Sequence, residues 1–356
     1  MMRIAKYVLP LIALAAIGWF VLTTAPVEAW LFRRTAFHEL AKQPVRLAKD
    51  GELSVLFCGT GSPLPDKTRA GPCTMIAAGG KLYLVDAGFD SARNLMLWRV
   101  PMQDIAGVFL THFHSDHIGE LGEIRLQTWV AGRNAKLPVY GPQGVEQVVG
   151  GFNQAYALDA GYRTEHHGAA MLPPDAVAMV PHVIAPGAVL QLGDLKVTAI
   201  PVHHEPATPA YGYRFDYRGR SIVVSGDTAP DEDLFKASKN ADILVHEALS
   251  PEMVGVMHDA LIAGGHPRQA KIFHDIPDYH TSPVDAARLA TKYRVRALVF
   301  THLIPILPNS FAEDLFLRGV AEVRPGCCTI LAHDGLVLTL HGDAASDGID
   351  ETRDLN

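Results

Sequence analysis

From Leu53 onward the apolar residues fall into two rhythms. Short runs rich in branched side chains, at 53–57, 75–78, 82–85 and 108–110, are bounded by Gly, Pro or Asp and predict strands. Gly79-Gly80 between two of them suits a tight hairpin turn. Longer stretches with helical spacing cover 91–99, 120–130 and 144–156. The segment 159–187 carries several Pro and Gly and two adjacent histidines, and it predicts a long irregular insertion. The second half repeats this grammar, with strands predicted at 195–200, 211–215, 222–225, 243–246, 297–301 and 329–332, and helices at 282–292 and 310–320. No low-complexity linker separates the halves. The pattern therefore predicts one α/β domain of two packed sheets flanked by helices over 53–342, after a linker at 30–52 and before a polar tail at 343–356.

The N-terminus follows a different rule. Arg3 and Lys6 precede an apolar run from 7 to 23, broken only by Pro10 and Gly18, which is the layout of a charged n-region followed by an h-region. Residues 1–29 are expected to be a hydrophobic helix serving as a signal peptide or membrane anchor. The body would then be exported, periplasmic or membrane-anchored, outside the cytoplasm.

Composition narrows the function. A chain that is 48% hydrophobic and 19% charged is a folded protein, not a disordered one. Lys and Arg total 31 against 38 Asp and Glu, so the net charge of -7 builds in no long-range attraction to a polyanion and disfavours nucleic acid as a partner. The four cysteines show no CxxC spacing and read as buried thiols. The 17 histidines say more. Thr111-His112-Phe113-His114-Ser115-Asp116-His117 directly follows a predicted strand. Three imidazoles and a carboxylate in so short a loop are costly to bury unless they share a cation.

This H-x-H-x-D-H segment resembles the metallo-β-lactamase superfamily of hydrolases, and further segments agree in order. Phe57-Cys58-Gly59-Thr60-Gly61-Ser62-Pro63 and Leu84-Val85-Asp86-Ala87-Gly88 are similar to its ribonuclease Z-like branch. So are Val202-His203-His204, Tyr211-Gly212-Tyr213-Arg214-Phe215, Ser225-Gly226-Asp227-Thr228, His246-Glu247-Ala248, Tyr279-His280-Thr281-Ser282 and Phe300-Thr301-His302. The resemblance implies a four-layer αββα sandwich with a two-metal site at the edge where the sheets meet. It implies that His112, His114 and His203 hold one metal, that Asp116, His117 and His302 hold the other, and that Asp227 bridges them. Adjacent residues on an extended chain point to opposite sides, so one of His203 and His204 faces the metals, and the family pattern selects His203. Two zinc ions suit these donors, with manganese or iron as alternatives.

The chemistry expected of such a site is attack by an activated hydroxide on an ester centre, with Asp116 orienting the hydroxide. By resemblance to the ribonuclease Z-like and arylsulfatase-like branches, His280 is a hydrogen-bond donor or general acid; Glu247, after the strand at 243–246, is expected to orient His280 or a ligand imidazole. Asp86 is expected to brace the metal loop, and His246 to pack beneath the site. These features predict a phosphodiesterase or sulfatase-like esterase acting on a small-molecule ester. A lactonase or β-lactamase is the alternative, transfer-RNA 3′ processing the third reading, and an inactive binding relative the non-enzyme one. A homodimer and a membrane contact through the N-terminal segment complete the expectations.

Overall fold

The computed structural model describes Trp19, residues 23–342 and residues 348–356. The chain forms two units, residues 1–44 and 45–356. In the first, helix Ala25–Leu40 begins with Pro26 in its first turn, where the missing N–H costs nothing. It buries none of its residues, and the Arg33 and Arg34 guanidinium groups lie 5.4 and 5.5 Å from the Phe37 and Trp30 rings. The helix runs across the boundary expected at residue 29 and occupies the first part of the expected linker. Most of the apolar run read as a signal or anchor lies outside the described residues. Among the described residues, no helix is long and apolar enough to cross a membrane.

Among the described residues, the second unit is built on 15 strands in two sheets. In chain order they are β1 (Glu52–Gly59), β2 (Cys73–Ala78), β3 (Lys81–Val85), β4 (Ile105–Phe109), β5 (Leu137–Gly141), β6 (Met179–Val183), β7 (Val189–Leu192), β8 (Leu195–Val202), β9 (Ala210–Tyr217), β10 (Arg220–Val224), β11 (Ile243–Leu249), β12 (Ala297–Ile304), β13 (Cys328–Leu331), β14 (Leu336–His341) and β15 (Glu351–Asp354). One sheet has the order β15-β14-β1-β2-β3-β4-β5-β6, the other β13-β12-β11-β10-β9-β8-β7. Pairing is parallel from β3 to β6 and from β10 to β13.

Alternation along the strands divides the core into layers. On β1, Leu53, Val55 and Phe57 face the other sheet, while Leu56 and Cys58 face outer helices. On β11, Ile243 and Val245 face inward and Leu244 faces the opposite outer layer. Helices Ser91–Leu97, Leu121–Val130 and Val145–Ala155 cover the first sheet through Leu95, Ile124 and Val149. Helices Glu232–Ala237, Pro283–Lys292 and Ser310–Phe316 cover the second through Leu234, Ala287 and Phe316. The αββα sandwich is thus the observed architecture.

At the centre, the Phe109 ring stacks on Tyr140 at 4.7 Å and meets Tyr213 and Phe215 edge-on at 5.2 and 5.6 Å. The Tyr213 hydroxyl donates to the Leu110 carbonyl at 2.7 Å, so the strand entering the histidine-rich loop is fixed from both sheets. Truncating so buried an aromatic costs about 3–5 kcal/mol.

Three local expectations are corrected. The segment 159–187 is largely regular: helix Ala157–His167, helix Pro174–Val177 and edge strand β6 fill it. Residues 351–354 of the expected tail pair with β14 as β15. Cys58 and Cys73 are joined in a disulfide, with Cα atoms 5.0 Å apart. Adjacent pairing of β1 and β2, with a register shift between Phe57 and Gly59, brings these two together, and spacing along the chain does not reveal such proximity.

Candidate metal centre

The site gathers where strands of both sheets end. Asp86, at φ 64°, follows β3 and fastens the loop after β4. Its carboxylate accepts from the Thr111 N–H and the Thr111 hydroxyl, each at 2.8 Å, and lies 2.8 Å from His117 Nδ1. A carboxylate only accepts, so His117 donates to it from Nδ1 and turns Nε2 toward the cluster. The Thr111 hydroxyl, having donated to Asp86, accepts from His112 Nδ1 at 3.0 Å, which leaves the neutral His112 ring with a bare Nε2. His204 does the same through the Tyr279 carbonyl, 3.0 Å from its Nδ1. Three imidazoles are each oriented through Nδ1 by a different acceptor.

Asp227 occupies the middle. Gly226 before it has φ 63°, and a Cβ there would meet the Tyr211 carbonyl oxygen at 2.8 Å and Thr111 Cβ at 2.9 Å. Only glycine makes this turn without displacement. Asp227 Oδ2 then lies 3.2 Å from His302 Nε2, 3.3 Å from His117 Nε2, and 3.9 Å from both His112 Nε2 and His204 Nε2. His302 reaches the cluster because β12 bulges: Glu247 of β11 opposes Thr301, Ala248 opposes Leu303, and His302 is the extra residue, at φ 46°. Its Nε2 is also 3.4 Å from Asp116 Oδ2.

Two sets of donors result, one of His112, His114, His204 and Asp227 and one of Asp116, His117 and His302, each gathered within 4.8 Å. His112 Nε2, Asp116 Oδ2, His117 Nε2, Asp227 Oδ1 and His302 Nε2 are buried and have no hydrogen-bond partner among the described residues. Buried polar atoms left in this state fit a cation and little else.

His203, expected in the first set, is not there. Its side chain is 67% exposed and lies 3.8 Å from Glu205 and from Asp231, while His204 is 1% exposed and points inward. Both residues lie past the end of β8, where alternation has already lapsed with Ala199 and Ile200 both buried and Val202 packed in the outer layer, so the strand carried no signal for which of the pair turns inward.

His280 adjoins both sets, with Asp227 and His302 in reach and ring centroids 5.4 Å from His204 and 5.5 Å from His302. Behind it Glu247, fully buried, has Oε2 3.1 Å from His280 Nδ1 and accepts the Thr281 N–H on Oε1 at 2.7 Å. Ser282 caps helix Pro283–Lys292 through the Asp285 N–H, and the Thr281 hydroxyl donates instead to the Thr228 carbonyl at 2.7 Å. His246 is buried beneath, its ring stacked on Phe235 at 5.2 Å.

The charges answer one another. Burial pushes the Asp227 carboxyl up, but the His302 and His117 imidazoles outweigh it and hold the group well below the usual carboxylate range. Burial pushes His117 down, and Asp227, Asp86 and Asp116 together lift it well above its ordinary value. Burial, with His117 beside it, holds His112 well below.

A four-layer sandwich with paired His/Asp sets at the open edge defines the metallo-β-lactamase-fold hydrolases. The family model described as a β-lactamase superfamily domain matches residues 82–303. The ribonuclease Z of Mycolicibacterium gilvum (strain PYR-GCK) is 35% identical over 275 residues, covering 76% of this chain and 91% of that protein. Among solved structures, the metallo-β-lactamase-fold protein YhfI from Bacillus subtilis has a TM-score of 0.59 at 20% identity, covering 82% of this chain and 100% of that one. The short form of human tRNase Z has a TM-score of 0.56 at 22% identity, covering 80% and 98%. The chain belongs to the β-lactamase superfamily, among the relatives of ribonuclease Z.

These relatives overturn one expectation. A small-molecule ester substrate with nucleic acid disfavoured does not stand beside a relative named for cutting RNA. The charge argument was too coarse, because phosphate contacts are made by local groups and not by the net charge of the whole chain.

Proposed function

We propose that the chain hydrolyses phosphodiester bonds of RNA with two bound divalent cations, zinc being the best match to the donors. His112, His114 and His204 would hold one cation, Asp116, His117 and His302 the other, and Asp227 both. When bound, such cations supply hydroxide at neutral pH and neutralise charge developing on the phosphoryl oxygens. The chain's own residues do the rest. Asp86, Thr111 and the Tyr279 carbonyl orient the imidazoles, Asp116 accepts a proton from the attacking water, and His280, backed by Glu247, donates from Nε2 to the departing oxygen. The observation that carries this reading is the convergence of unpartnered buried nitrogen and oxygen atoms around Asp227 with the Glu247–His280 pair beside them.

The relatives' name supports transfer-RNA 3′ processing as the finer form. One feature sharpens its test: between residues 157 and 184 the only Lys or Arg is Arg163, and that residue pairs with Asp159 at 2.8 Å. The experiment compares a precursor transfer RNA with an unstructured oligoribonucleotide, with zinc or manganese added, for the natural chain and Asp227→Ala. Cleavage of RNA by the natural chain alone is the expected result, and preferential cleavage at the 3′ end of the precursor's acceptor stem supports the finer form. No cleavage of either RNA contradicts the reading. An exported location accords with the charged and apolar N-terminal sequence and with the Cys58–Cys73 disulfide, since such bonds persist in oxidising compartments.

A further inference from the structure

Beside the paired donor sets lies a cavity of about 260 Å³ with two unlike walls. One is the cluster itself, through His114, Asp116, Asp227, His280 and His302. The other is Leu64, Ile272, Phe273, Ile276, Tyr279 and Ile304. No Lys or Arg is among the described residues that line it.

Most of the apolar wall comes from the segment between β11 and helix Pro283–Lys292, which folds as helices Pro251–Ala263 and Pro267–Asp275 and a 3-10 turn Ile276–Tyr279. It has a small core of its own, in which Phe273 packs with Leu249, Val254 and Ile304, and with Ile276 and Leu64 at the margin. Phe273, Ile276, Leu64 and Ile304 are therefore held in place by packing, while Ile272 stands exposed at the rim. Tyr279 is fixed more closely still: its carbonyl accepts from His204, and its ring centroid lies 5.1 Å from that imidazole and 5.0 Å from His280.

We propose, building on the phosphodiesterase reading, that this cavity is a nucleobase subsite, in which the base of the nucleotide carrying the departing oxygen lies against Tyr279 and the Ile272–Ile276 wall. The side of the cut follows from His280, which faces the departing oxygen and is the neighbour of Tyr279. A second phosphate in this cavity would find no cation from the chain to balance it. A base offers a flat apolar face to stack on an aromatic ring and nothing charged to desolvate.

The test uses short oligoribonucleotides that differ only in an abasic residue on the departing side of the cut, with an abasic residue on the other side as control. The natural chain, Tyr279→Ala and Tyr279→Phe are compared, with metal content measured for each. For the natural chain, losing the departing-side base should lower kcat/KM by roughly 5- to 150-fold, mainly through KM, which is the range of one base–aromatic stack. Loss on the other side should have a smaller effect. Tyr279→Ala should lower kcat/KM for the intact substrate and erase the penalty for the abasic one, and Tyr279→Phe should restore it. Equal rates on intact and abasic substrates, or an equal loss on both in Tyr279→Ala, would overturn the subsite. Bis(p-nitrophenyl) phosphate separates the two readings. If it is hydrolysed while base removal changes nothing, the subsite alone fails; if neither it nor RNA is cut, the phosphodiesterase reading fails and this proposal with it.

Discussion

The loop after β4 supplies His112, His114, Asp116 and His117 within six residues, whereas the second sheet sends His204, Asp227 and His302 from the ends of three separate strands. In the first case a single brace, Asp86 with Thr111, sets His112 and His117 through hydrogen bonds of 2.8 to 3.0 Å. In the second each residue needs its own device: a carbonyl for His204, a glycine turn for Asp227 and a strand bulge for His302. A compact group can be read as a local word. A dispersed group exists only once the strands are in register, so a slip at any of the three points would remove one donor.

This contrast makes Asp227 the position of largest effect. Four imidazole nitrogens lie within 3.9 Å of its Oδ2. Asp227→Ala should lower metal content and reduce turnover by about 1,000-fold or more, given the weight a metal-activated water carries in such chemistry. Elemental analysis with kinetics checks both, and a fully loaded, active variant would break the account of the second sheet.

His280→Ala comes next, because it removes the proposed proton donor and leaves both donor sets intact. Turnover should fall by about 100- to 10,000-fold with metal content kept. Glu247→Gln, which acts through His280, should cost about 10- to 100-fold and shift the acid limb of the pH–rate profile. Unchanged turnover in His280→Ala would remove its role.

In the first group, Thr111→Val deletes the hydroxyl linking Asp86 to His112 while the Thr111 N–H contact remains. Metal affinity should weaken by about 10- to 100-fold, measured by competition with a chelator. An unchanged affinity would mean that the His112 tautomer does not depend on this relay.

The smallest effect is on stability. Burial holds the His246 imidazole down to about 4 from its ordinary 6.5, so the folded form disfavours the proton that the unfolded chain binds. Its contribution is fully present above pH 6.5 and is lost as pH falls from 6.5 toward 4. His246→Phe, which keeps a ring beside Phe235, should flatten the decline of Tm across that window, and an identical slope in both proteins would contradict the assignment.

What the sequence made legible follows the same division. Periodicity revealed β1–β4 and β8–β13 and several flanking helices, since alternation and helical spacing are local, but missed β5–β7, β14, β15 and helices Glu232–Ala237, Pro251–Ala263 and Pro267–Asp275; the loop at 111–117 declared its chemistry outright. The Asp227 turn and His302 were found through resemblance in segment order. The choice between His203 and His204 lay beyond reach of periodicity, because the pair follows the end of β8, where Ala199 and Ile200 are both buried and alternation no longer holds. The Cys58–Cys73 pair depends on neighbouring strands and was invisible along the chain, whereas the bracing of the metal loop by Asp86 was expected and is observed at the Thr111 N–H. The order within 157–183 was hidden for a further reason: Gly, Pro and polar residues there suggested a loop, while burial of Ala160, Leu172 and Ala176 against Trp129 supports helices.

The central claim is that two cations are gathered from both sheets, with His204 completing the first set. Metal stoichiometry of His203→Ala and His204→Ala, purified side by side and loaded with zinc, tests it most directly. The account predicts about two metals per chain in the natural protein and in His203→Ala, and loss of one in His204→Ala. Loss in His203→Ala with full loading of His204→Ala would contradict it.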